Sequence, residues 1–134
     1  MAFDWVRRDK INKTVILDSC AILSFFEFSV DWQNELGSLL GAYRLVVPTA
    51  VVQELRILAT RSRGGKKATA ALKLVEKYET IDADAKSADE ALVTVAEKTK
   101  GIVVTNDAEL RKRLKKNGLS VIFLRGKKKL VLDE

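Results

Sequence analysis

Apolar positions fall along this chain in two alternating rhythms. Four short runs, Lys13-Thr-Val-Ile-Leu17, Arg44-Leu-Val-Val47, Ile102-Val-Val-Thr105 and Ser120-Val-Ile-Phe-Leu124, set apolar side chains on consecutive positions. Such runs leave no face for water and predict strands covered on both sides. Between them the apolar positions recur every three or four residues. Val52, Leu55, Leu58 and Ala59 follow Pro48-Thr49, a favourable helix opening, with Glu54 near the first turn. Ala68, Leu72, Val75 and Tyr78 define a second stripe, Leu92, Val95 and Ala96 a third, and Leu110 with Leu114 a fourth. Ala21 to Phe28 and the stretch through Leu36, Leu39 and Leu40 also suit helices, with Gly37 and Gly41 as weak points or stops.

The boundaries have their own chemistry. Ser87-Ala-Asp-Glu90 matches a capping box, in which the Ser hydroxyl and the Glu carboxylate satisfy free amides at a helix start. Lys98, Lys100 and Gly101 end that helix, Asn106-Asp107 begins the next, and Asn117-Gly118 ends it. Arg61-Ser-Arg-Gly-Gly-Lys-Lys67 reads as an exposed, mobile loop. Around Ile81 the pattern fits a short strand or a loop. Arg125-Gly126-Lys127 turns the chain so that Lys129 to Leu132 pairs back along the strand before it. Alternating helices and fully apolar strands imply α/β architecture: a three-layer α/β/α sandwich around a central, mainly parallel sheet, in one domain spanning residues 1–134.

Composition narrows the chemistry. With 134 residues, 47% hydrophobic and 31% charged, the chain suits one folded core and excludes a disordered tail. One Cys and no His exclude an intrachain disulfide, a Cys/His zinc cluster, a Ser-His-Asp triad and an imidazole base. What remains is carboxylates, hydroxyls, lysines or a bound ion. Met1 to Lys10 carries charges where a signal peptide needs an apolar stretch, and no run approaches a membrane span, which predicts a cytoplasmic location without membrane contact. The formal charge is +6, yet residues 1–107 balance 15 Lys/Arg against 15 Asp/Glu, and residues 108–134 hold 9 against 3. A basic surplus confined to one segment attracts polyanions, nucleic acid among them.

Ligand sites in such sheets lie beyond the carboxyl ends of the strands. Asp18 ends the first apolar run, Glu54 lies in the helix after the second, Asp89 opens a helix, and Asp107 follows the Ile102 run; they are 36, 35 and 18 residues apart. Taken singly, each could cap a helix or complement its dipole. Taken together, two carboxylates about 4 Å apart repel by roughly 4 kcal/mol at an effective dielectric near 20. A hard divalent cation relieves that cost, and oxygen-only ligands favour Mg²⁺ or Mn²⁺.

Val15-Ile-Leu-Asp-Ser19, Val47-Pro-Thr-Ala-Val-Val-Gln-Glu54, Ala88-Asp89-Glu90-Ala-Leu92 and Val103-Val-Thr-Asn-Asp107 resemble, in order, the acidic motifs of PIN-domain nucleases. The ending from Gly118 to Leu132 is similar to single-domain archaeal members, which are themselves similar to pre-ribosomal RNA processing nucleases, while toxins of toxin-antitoxin pairs share the acids. The resemblance implies a Mg²⁺- or Mn²⁺-dependent endoribonuclease leaving a 5′-phosphate and a 3′-hydroxyl. It also implies Asp18, Glu54, Asp89 and Asp107 as catalytic metal ligands, supported by Ser19, Thr105 and Asn106. Its partners would be RNA, a second copy in a homodimer, and an antitoxin or a ribosome-assembly protein. Arg61, Arg63, Lys66, Lys67, Arg111, Lys112, Arg125, Lys127, Lys128 and Lys129 would hold the RNA backbone. The family commonly carries Asn where this chain has Cys20, an exchange that predicts the loss of a supporting hydrogen bond. Capping logic assigns Glu90 to the helix start and Asp89 to the site.

A non-catalytic RNA-binding or assembly module is the competing class. A receiver domain wants paired acids where Asp18-Ser19 stands, a haloacid-dehalogenase-type phosphatase wants an acid at Cys20, and dinucleotide binding lacks its glycine fingerprint. Phe25, Phe26, Phe28 and Trp32 are expected in the core or at a dimer contact.

Overall fold

A computed structural model describes residues 13–61, 63–83 and 85–134. The expectation drawn from Met1 to Lys10 lies outside them. The strands are β1 (Lys13–Leu17), β2 (Tyr43–Pro48), β3 (Glu79–Ile81), β4 (Ile102–Val104), β5 (Val121–Arg125) and β6 (Lys129–Asp133). The helices are α1 (Ser19–Glu27), α2 (Trp32–Leu40), α3 (Thr49–Ala59), α4 (Gly65–Val75), α5 (Ala88–Thr99) and α6 (Ala108–Lys116). They form one six-stranded sheet in the order β3-β2-β1-β4-β5-β6. All neighbours run parallel except β5 and β6, which pair antiparallel.

Successive strand residues point to opposite faces, so Val15, Ile16 and Leu17, each fully buried, show that β1 is covered on both. The same holds for Val46 with Val47, Val103 with Val104, and Val121 with Ile122. Each such side chain contributes about 1.5–3 kcal/mol by leaving water, which is why the unbroken apolar runs become the centre of an α/β sandwich. Phe25 stacks on Trp32 with ring centroids 5.2 Å apart, and Trp32 meets Tyr78 edge-on at 6.1 Å, so two of the four aromatics belong to the core. Phe26 is exposed.

The chain builds β2 and β3 to one side of β1 and returns to place β4 on the other. That reversal opens a crevice beyond the carboxyl ends of β1 and β4. Gly101 allows β1 to lie close to the end of α5, since a Cβ there would meet Ile16 Cδ1 at 2.9 Å and Thr14 O at 3.0 Å. The left-handed turn that ends α5 falls on Lys100, not on the glycine.

Two open local expectations are resolved and one changes. α2 runs through Gly37 and stops at Gly41. The region of Ile81 is a strand, paired with β2. The basic segment Arg61 to Lys67 is a loop only in its first half, because α4 starts at Gly65 and carries Lys66 and Lys67 in its first turn. The hairpin forms as expected: Arg125 faces Lys129 across the β5–β6 pair, and Gly126 takes the positive φ of 66° that the turn needs. Among the described residues, no helix is long and apolar enough to cross a membrane.

Candidate active site

Asp18 stands at the amino-terminal cap position of α1, and its backbone N–H donates to Val104 O of β4 at 3.1 Å, across the crevice. Its carboxylate makes no capping hydrogen bond. Instead, Oδ2 accepts from the Thr105 hydroxyl at 2.6 Å and from the Cys20 thiol at 3.0 Å, with the residue only 5% exposed. Capping therefore does not explain this acid. A carboxylate withdrawn from water to this extent is stable only when donors or a cation meet it. Thr105, fully buried, also accepts from the Asp107 backbone N–H at 3.1 Å, so one hydroxyl links two of the acids.

The other acids are held differently. Glu54, in α3, accepts through Oε1 from the Ser19 hydroxyl at the start of α1. Asp107 does cap its helix: Oδ1 accepts from the N–H groups of Glu109 at 3.0 Å and Leu110 at 3.4 Å. Ser87 caps α5 by accepting from Glu90 N–H, and Glu90 Oε2 reaches back to Lys86 N–H at 3.3 Å. That occupies Glu90 at the helix start. Asp89 lies beside it in the same turn, with its carboxyl pushed above the usual range by burial first and by the negative charges of Asp107 and Glu54 next, against a smaller pull from Arg113. Asp89 thus senses two of its three presumed companions.

Asn106 is a tie between elements. Its Nδ2 donates to Ser24 Oγ of α1 at 3.1 Å, its Oδ1 accepts from Leu124 N–H of β5 at 3.0 Å, and Ser24 Oγ in turn donates to Cys20 O at 2.9 Å. Neither Ser24 nor Arg113 was singled out by sequence pattern, since nothing in their local spacing points to partners 82 residues away or on another helix. Cys20 corrects its expectation: the thiol supplies Asp18 with a donor in place of the usual amide. Burial first, and then the neighbouring Asp18 carboxylate, push this thiol up to about 12, so it stays protonated.

The acids offer oxygen only, with negative charge in excess, a donor set that fits a hard divalent cation and not a soft metal. Among the described residues, no three Asp, Glu or Cys side chains already stand close enough to grip an ion. The carboxylates are gathered, not closed.

The basic residues fall into three groups. Arg61 and Arg63 lie in the loop before α4, while Lys66 and Lys67 open that helix, with Lys67 at 4.0 Å from Glu27 at the far end of α1 from Asp18. Arg111 lays its guanidinium over the Phe123 ring, 3.7 Å from the centroid, and its buried Nε has no partner; Lys112 beside it is exposed. Arg125, Lys127, Lys128 and Lys129 crowd the β5–β6 hairpin tip, with the Lys127 ammonium 5.8 Å over the Phe28 ring. This tip starts one residue after Leu124, which Asn106 holds beside Asp107.

Comparison with known proteins bears on the arrangement. A family model described as "PIN like domain" matches residues 15–127. "Ribonuclease VapC9" of Archaeoglobus fulgidus is 30% identical over 135 aligned positions, covering 99% of this chain and 98% of that one. "Ribonuclease VapC4" of Methanocaldococcus jannaschii is 29% identical over 120, covering 85% and 92%. Among solved structures, the PIN domain endonuclease Utp24 matches with a TM-score of 0.75 at 24% identity over 90% of each chain. VapBC2 from Rickettsia felis, bound to a DNA fragment from their promoter, matches at 0.64 and 16% identity over 84% of this chain and 99% of that one.

Proposed function

This chain belongs to the family of PIN-like domains, and from that membership we propose that it is an endoribonuclease hydrolysing RNA phosphodiesters with Mg²⁺ or Mn²⁺ held by Asp18, Glu54, Asp89 and Asp107. The single observation that carries the reading is Asp18: it occupies a helix-cap position, does not cap, and is buried with two donors on one oxygen. A bound divalent ion supplies an acidified water and neutralises charge on the phosphodiester. The chain's own residues do the positioning. Thr105 fixes Asp18 and the Asp107 backbone, Ser19 orients Glu54, and Asn106 holds the loop between β4 and α6 against α1 and β5.

RNA binding is assigned chiefly to the hairpin tip. Arg125 and Lys129 sit directly opposite each other, an arrangement that repels across the strands unless a polyanion lies between or over them. Arg61, Arg63, Lys66, Lys67, Arg111 and Lys112 extend the basic surface. Cleavage of structured and single-stranded RNA in Mn²⁺, with EDTA and with Asp18→Asn as controls, tests the reading: binding without metal-dependent cleavage overturns it in favour of a binding module. A second reading, a toxin neutralised by an antitoxin, draws support from the full-length similarity to a protein named as a VapC ribonuclease. Growth arrest on expression in a host cell, abolished by Asp18→Asn, supports the toxin; normal growth with an active enzyme supports RNA processing or turnover.

A further inference from the structure

Cys20 lies in the first turn of α1, two residues past Asp18, with its sulfur 3.0 Å from Asp18 Oδ2. The Thr105 hydroxyl reaches the same oxygen at 2.6 Å, and sulfur and hydroxyl are 3.7 Å apart. A thiol and a hydroxyl have one hydrogen each. Both hydrogens are spent on Oδ2, so the contact between the two donors is packing. A carboxylate oxygen has two lone pairs, and two donors fill them. We propose that Cys20 is a positioning residue of the carboxylate site: together with Thr105 it saturates Oδ2 of Asp18, and so leaves Oδ1 as the oxygen that Asp18 offers to a divalent cation.

This inference rests on the metal-dependent nuclease reading above. It differs from a merely structural role for a small buried side chain, because it depends on the donated hydrogen and not on the volume of the sulfur. Ala and Ser are close in volume, both smaller than Cys, and Ala alone lacks the donor. Ser and Asn keep a donor.

The test is calorimetric titration of Mn²⁺ into the full chain, as wild type and as Cys20→Ala, Cys20→Ser and Cys20→Asn, with thermal melts of each in EDTA. The alanine variant is expected to bind Mn²⁺ about tenfold more weakly, the usual scale for groups that orient a metal ligand, with Ser and Asn recovering most of the loss. The S–H stretching band gives a readout without metal and belongs to one residue, since the chain has a single Cys. It should lie below the free-thiol position and move up in Asp18→Asn, whose amide oxygen is the weaker acceptor. Equal Mn²⁺ affinity in wild type and Cys20→Ala overturns the proposal, as does failure of both Ser and Asn to restore it or an S–H band indifferent to Asp18→Asn. A wild type that neither binds Mn²⁺ nor cleaves RNA overturns the nuclease reading itself.

Discussion

The two halves of the acidic crevice are built on opposite principles. On the β1 side, Asp18 is buried, with one oxygen occupied by hydroxyl and thiol donors from two different elements. On the α5 side, Asp89 lies on the first turn of a helix with no hydrogen-bond donor to its carboxyl among the described residues, and that carboxyl is pushed up by partial burial first and by the charges of Asp107 and Glu54 next. One half is preorganised by hydrogen bonds. In the other, Asp89 is partly withdrawn from water and lies in the field of two further carboxylates. Donors fix a carboxylate's position, whereas like charges alone only raise the cost of ionising it.

The largest effect expected from breaking this contrast comes from Asp18→Asn. RNA cleavage in Mn²⁺ should fall by about 100-fold or more, as the metal-ligand role proposed for Asp18 requires. Next is Thr105→Val, which strips the buried donor from Asp18 and the acceptor from Asp107 N–H. Denaturant titration should show a loss of about 1–3 kcal/mol, with Mn²⁺ affinity down by about 10- to 100-fold. Asp107 sharpens the comparison because it has two occupations. Asp107→Ala should cost about 1 kcal/mol of stability and Asp107→Asn much less, since Asn caps as well, while both variants lose most of the Mn²⁺-induced rise in melting temperature.

Outside both halves, replacing Lys127, Lys128 and Lys129 with Gln should weaken RNA binding and flatten its salt dependence by at most about 0.7 log unit per lost contact on single strands. An unchanged slope would restrict those lysines to solubility. The smallest effect belongs to Asp89. Its folded-state pKa is raised, so the folded protein binds protons more readily than the unfolded chain. This contribution is fully present below about pH 4, the ordinary carboxylate value, and is lost as pH rises through the raised one. Melts of the metal-free protein across that window should show a shallow decline that Asp89→Asn removes.

What could be read from the sequence follows from how local each signal is. β1, β2, β4 and β5 were legible because burial on both faces leaves an uninterrupted apolar run, and Asp18 because it breaks such a run abruptly. β3 was ambiguous because Glu79-Thr80-Ile81 pairs along one edge only and stays largely exposed, so no burial pattern marks it. The start of α4 was hidden by the adjacent Gly64 and Gly65, which resemble a loop, although only Gly64 takes a positive φ, of 80°. Arg111 looked like one more cation in a basic helix. Its stacking on Phe123 depends on α6 meeting β5, a contact with no local trace. Cys20 departs from its expectation for a similar reason: residue type does not reveal that the thiol hydrogen lies within reach of Asp18.

The bond between Thr105 and Asp18 spans 87 positions, and the strands they directly follow, β4 and β1, are neighbours in the sheet. A chain emerging from a ribosome at about 5–20 residues per second grows for several seconds with β1 exposed before β4 exists to pair with it. During that interval the first acid has neither its hydroxyl donor nor Asp107 for company. The hydrogen-bonded arrangement around Asp18 is incomplete until translation has passed residue 107. The order of strands along the chain thus sets when this part of the crevice can form: Asp18 is made early and waits for Thr105 and Asp107.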